Sequence, residues 1–77
     1  FAVEVKSPGN SYDELRDKAR TYIDNGTRLV WLVYPTRSIV EVYFEDGTSE
    51  LFDKDSKLSG ADVLPDFEMT VHDIFNV

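Results

Sequence analysis

Two side chains near the start of this chain have the types and spacing to do chemistry: Glu4 and Lys6. In an extended strand, side chains alternate faces with a period of two. Ala2, Glu4 and Lys6 then share one face, and Phe1, Val3 and Val5 point the other way. A carboxylate there can hold a hard divalent cation through oxygen. A neighbouring ammonium can orient a water or stabilise developing negative charge. The pair has the make-up of a centre for metal-assisted hydrolysis. The competing reading is a solvated strand face with a weak surface ion pair. A three-residue motif alone does not choose between them.

The elements that must position this pair are legible. Ser7-Pro8-Gly9-Asn10 ends the first strand, residues 1–6, because Pro8 has no N–H to continue a ladder. Ser11 to Glu14 reads as a capping box, with Asp13, Glu14 and Asp17 at the positive end of the helix dipole. A helix is expected from Tyr12 to Asn25, with Tyr12, Leu15, Ala19, Tyr22 and Ile23 as one apolar stripe packed in the core. Gly26 supplies its left-handed stop. Residues 28–34 form a nearly continuous apolar run, the mark of a strand buried on both faces. Strand, helix and strand make a right-handed βαβ unit with two adjacent parallel strands.

A meander follows. Pro35-Thr36-Arg37 is a tight reversal into a strand over 38–44. Asp46-Gly47 is a hairpin signal, and 49–52 is the returning strand. The rest is less regular. Residues 58–65 read as turn residues around isolated hydrophobics, residues 67–71 as a short extended segment, and Val71–Phe75 as a last helical turn docking Ile74 and Phe75. The fold class is α/β, a mixed sheet made of a βαβ unit and an antiparallel meander.

Bulk properties bound the function. Seventy-seven residues make one domain at most. A chain this short buries only about 60 % of its unfolded surface, so its stability is marginal. It contains no cysteine, which excludes disulfides and thiolate metal sites and fits a cytoplasmic origin. No apolar run approaches the roughly 20 residues that span a bilayer, and no signal peptide is visible. The chain opens on Phe1 within a strand, which reads as part of a longer protein. The net charge of −7 argues against an autonomous nucleic-acid binder. Residues 1–37 carry six Lys/Arg against five Asp/Glu, and residues 38–77 carry two against ten. The near-neutral half holds the Glu4–Lys6 strand, and the acidic half reads as a solvated outer surface or one facing a basic partner.

Glu4-Val5-Lys6-Ser7-Pro8, Lys18, Tyr22, Gly26, Trp31, Pro35, Leu58-Ser59-Gly60, Leu64-Pro65-Asp66-Phe67 and Ile74-Phe75 occur in a familiar order. The set resembles a bacterial family of restriction-endonuclease-like domains in the PD-(D/E)xK nuclease superfamily, and it spans nearly the whole chain. The resemblance implies that residues 1–77 are the C-terminal part of such a domain. It implies Glu4 as the second metal-binding carboxylate, holding Mg²⁺ or Mn²⁺, Lys6 as the catalytic lysine, and Lys18 as a helix lysine within reach of the site. On a helical wheel Lys18 flanks the apolar stripe; a snorkelling surface lysine is the alternative. The implied reaction is phosphodiester hydrolysis of nucleic acid, with DNA the expected substrate of the complete protein.

Three departures from the family pattern matter. The first acidic residue of the motif is absent, Tyr34 stands where the family often has Asp, and Asp66 where it often has Gly. One carboxylate rarely holds Mg²⁺ without partners, so these residues alone are expected to be inactive. The alternative is a non-catalytic interaction or dimerisation module that keeps the fold, and a homodimer is the default assembly. A site at His72 with Asp66, Glu68 or Asp73 is disfavoured against a surface histidine. No G-x-S-x-G elbow supports a serine hydrolase.

Overall fold

The computed structural model describes residues 1–60 and 64–71. The elements run β1 (Ala2–Val5), α1 (Tyr12–Asp24), β2 (Leu29–Tyr34), β3 (Ile39–Phe44), β4 (Ser49–Phe52), β5 (Lys57–Gly60) and β6 (Leu64–Thr70). The first four strands form one sheet in the order β1-β2-β3-β4, and β5 and β6 form a second. β1 runs parallel to β2, with Glu4 opposite Leu32. The β2–β3 and β3–β4 pairs are antiparallel. This is the mixed α/β arrangement that the sequence pattern implies.

Local chemistry explains the connections. Ser11 Oγ accepts the Glu14 backbone N–H at 3.1 Å, which caps α1. Among the described residues Glu14 does not return the bond, so only half of the capping box forms. At the far end, Gly26 has φ +96 and its N–H reaches the Ile23 carbonyl, while the Thr27 N–H reaches that of Tyr22. That closure ends the helix at Asp24, with Asn25 as cap. Gly47, at φ +87, supplies the turn between β3 and β4.

All six residues of β2 are buried, because each face is covered by a different layer. On one side, Val30, Leu32 and Tyr34 pack with Leu15 and Ala19 of α1, and Tyr12, Tyr22 and Ile23 border them. On the other, Leu29, Trp31 and Val33 pack with Val40, Val42, Leu58 and Val71. Leu58 and Val71 come from the second sheet and the residue that follows it. Along β1 only the helix-facing side chains are covered; Phe1, Val3 and Val5 are about half exposed.

Two expectations are corrected. The segment read as turn residues around isolated hydrophobics includes a strand, β5, and the extended segment starts earlier, at Leu64. Each of these strands is defined by its partner: Lys57 pairs with Thr70 and Leu58 with Met69. Nor is the acidic half uniformly solvated, since Glu41 is only 7 % exposed. The expected helical turn with Ile74 and Phe75, and the His72 site, lie outside the described residues.

Candidate functional site

Glu4 sits in β1 on the face turned toward α1, next to the strand's carboxyl end. Its Oε1 accepts the Tyr22 hydroxyl at 2.8 Å and stands 2.9 Å from Lys18 Nζ. Tyr22 follows Lys18 by four residues, one helical turn on the same face. One stretch of α1 therefore brings a cation and a hydroxyl to the same carboxylate oxygen. Among the described residues nothing donates to Oε2, and the side chain keeps 22 % of its exposure.

The electrostatics follow from these contacts. The Lys18 ammonium, and after it the Tyr22 hydroxyl, hold the Glu4 carboxyl below its ordinary value. The same contact with Glu4 raises Lys18. Tyr22 is pushed up by the carboxylate it donates to, so it stays a protonated donor.

Lys6 lies on the same strand face, and its amine is aimed elsewhere. Its Nζ donates to the Ser7 carbonyl at 3.3 Å and stands 4.8 Å from the centroid of the Tyr12 ring. The Arg37 guanidinium stands 4.6 Å from the same centroid. Lys6 and Tyr12 belong to a groove of about 510 Å³ that Ser7, Pro8, Tyr34, Pro35 and Thr36 also line. The groove lies at the carboxyl ends of the parallel strands β1 and β2, where open α/β sheets bind ligands.

Beneath the groove, Tyr34 donates to Glu41 Oε1 at 2.6 Å, and Arg16 Nε donates to the same oxygen at 3.1 Å. Burial, and then the Glu41 carboxylate, push the Tyr34 hydroxyl far up. Tyr34 also meets Tyr12 edge to face, with centroids 4.9 Å apart. These bonds hold in place the one member of the set, Tyr34, that lines the groove.

The structure thus brings Lys18 to Glu4 and turns the Lys6 amine toward Tyr12. Sequence reasoning missed Tyr22, Arg37 and the Tyr34–Glu41–Arg16 set as parts of the site. The four-residue spacing of Lys18 and Tyr22 was the available signal for the first. Among the described residues, no group of three or more His, Cys, Asp or Glu side chains could hold a metal ion. Glu4 nevertheless fits as one ligand. Its open Oε2 is a hard oxygen donor, and Mg²⁺ uses as few as one or two carboxylates together with substrate phosphates and water.

The parallel β–α–β unit brings a carboxylate and an amine together near its strand end. The Uma2 family, described as "Putative restriction endonuclease", matches residues 1–72, and this chain belongs to that family. Its fold is similar to a crystal structure from Anabaena variabilis ATCC 29413, described as "a putative nuclease belonging to DUF820" (TM-score 0.86, 24 % identity). That match covers 96 % of this chain and 42 % of the other, so this chain spans less than half of its neighbour. No curated protein matches. Among the described residues no helix is long and apolar enough to cross a membrane.

Proposed function

We propose that this chain carries part of the catalytic centre of a metal-dependent endonuclease, acting in the full-length protein on the phosphodiester backbone of DNA. The observation that carries the reading is the convergence of Lys18 and Tyr22 on one oxygen of Glu4, with the other oxygen open. Glu4 is the metal-ligating carboxylate. A divalent cation, Mg²⁺ or Mn²⁺, supplies positive charge at the scissile phosphate and makes a bound water more acidic. Tyr22 fixes the Glu4 rotamer by donating to Oε1 and leaves Oε2 without a donor among the described residues. Lys18, kept charged by Glu4, places an ammonium where negative charge accumulates on the phosphoryl oxygens. Lys6 brings a second amine to the mouth of the site.

In this reading residues 1–77 form one partial domain, the C-terminal part of the nuclease domain. They supply one carboxylate of the centre, and the complete protein supplies the rest. A cytoplasmic homodimer is the expected state. The test is plasmid cleavage by the full-length protein with Mg²⁺ or Mn²⁺, beside Glu4→Ala. Nicking by the folded wild type that disappears in the folded variant supports the reading. Cleavage that survives Glu4→Ala overturns the assignment. A folded wild type that cuts no substrate favours the alternative, a non-catalytic interaction module.

A further inference from the structure

The charges of the described residues are paired unevenly. Five cations are each paired with a carboxylate: Arg16 with Glu41, Lys18 with Glu4, Arg20 with Asp17, Arg28 with Glu45 and Lys57 with Glu68. Lys6, Arg37 and Lys54 have no carboxylate partner among the described residues. In a chain of net charge −7, a cation without a partner is the exception. Two of these three converge on one side chain, the Tyr12 ring, at the edge of the groove. None of the residues lining that groove is acidic.

The two cations arrive from different elements. Lys6 follows β1, and Arg37 lies in the reversal between β2 and β3. An aromatic face holds such cations by its quadrupole without neutralising them. The ring is itself held edge to face by Tyr34, whose hydroxyl is tied to Glu41. Both cations stand close to the centroid of one neutral ring, at 4.8 and 4.6 Å, and keep their charge, which a bound anion would offset. The Ser7 hydroxyl already donates to Asn10 Oδ1 at 2.8 Å, and the Tyr12 and Thr36 side chains add hydroxyls to the same lining.

We propose that this groove, with Lys6 in its lining and the Arg37 guanidinium over its Tyr12 ring, is a phosphate-binding subsite for a backbone phosphate of the nucleic-acid strand next to the phosphodiester cut at Glu4. The proposal rests on the nuclease reading for its substrate class and adds the subsite that holds the strand in register. It also explains how a strongly acidic chain engages a polyanion: the contact is confined to one patch where cations lack carboxylate partners.

The experiment uses the full-length protein and a fluorescein-labelled single-stranded deoxyoligonucleotide, with affinity measured across a salt series in Ca²⁺ to suppress cutting. Cleavage is assayed separately in Mg²⁺. Each phosphate contact on a single strand contributes about −0.7 to the slope of log K against log salt. Arg37→Ala is expected to weaken binding several-fold and to make the slope shallower by about that amount, and Arg37→Lys to restore most of the slope. Unchanged affinity and slope in a folded Arg37→Ala protein overturn the subsite and leave the nuclease reading standing. Arg37-dependent binding by a protein that does not cut overturns the nuclease reading and leaves the subsite standing. Absence of any Arg37-dependent binding overturns the subsite whatever the cleavage assay shows.

Discussion

The Lys18 ammonium lies 2.9 Å from Glu4 Oε1, although one residue is on the helix and the other on the edge strand. The pairing lowers Glu4 and raises Lys18, so both remain ionised through neutral pH. A carboxylate with a depressed folded value contributes stability above its unfolded value, and loses it as pH falls through the folded value. Lys18→Met is therefore expected to shift the Glu4 titration upward, toward its ordinary 4.5. The stability gap to wild type should close in acid. Carboxylate-detected NMR across pH 2–7 and urea unfolding at two pH values check both outcomes.

Lys18 and Lys6 are expected to fail differently. Lys18→Met removes charge next to Glu4, the carboxylate proposed to ligate the metal, and should lower kcat by about 10²–10³-fold, the scale of a lost transition-state donor. Lys6→Met removes a groove cation and should act mainly through KM. Steady-state cleavage of a labelled duplex separates the two.

Tyr34→Phe leaves the buried Glu41 carboxylate with Arg16 as its remaining side-chain partner. A buried acceptor that loses a donor costs about 1–3 kcal/mol. The measurement is equilibrium denaturation, and a loss within that range is the expected result. Arg37-dependent oligonucleotide affinity should fall in the same variant, because the Tyr12 ring loses a fixed neighbour.

Ser11→Ala removes the oxygen that caps α1 and should destabilise the chain by about 1 kcal/mol. Amide exchange should quicken most at Glu14, whose N–H loses its acceptor. The Lys18–Glu4 contact lies further along the helix and should persist, which the Glu4 titration reports.

The family's distinguishing residues and the core layout could be read along the chain because each signal is local. Ser11 caps because its hydroxyl reaches three residues on. Gly26 and Gly47 end elements because they adopt positive φ. The unbroken apolar run of β2 declares burial on both faces. The Glu4–Lys6 motif could likewise be found by period-two alternation alone. β5 escaped because a four-residue strand is defined by its partner β6, whose register no local pattern specifies.

What the tertiary structure decided is which charges meet. Glu4 receives Lys18 rather than Lys6 because docking the Leu15–Ala19 stripe on β2 sets the helix's rotation, and that rotation points Lys18 and Tyr22 at β1. Arg37 joins Lys6 on the Tyr12 ring because the β2–β3 reversal ends beside the start of α1. Glu41 is buried because β3 pairs with β2 in the register that puts it on the helix side, within reach of Tyr34 and Arg16. Sequence set the candidates and their secondary structure through short-range sterics and periodicity. Contacts between distant residues followed from packing two layers against one sheet.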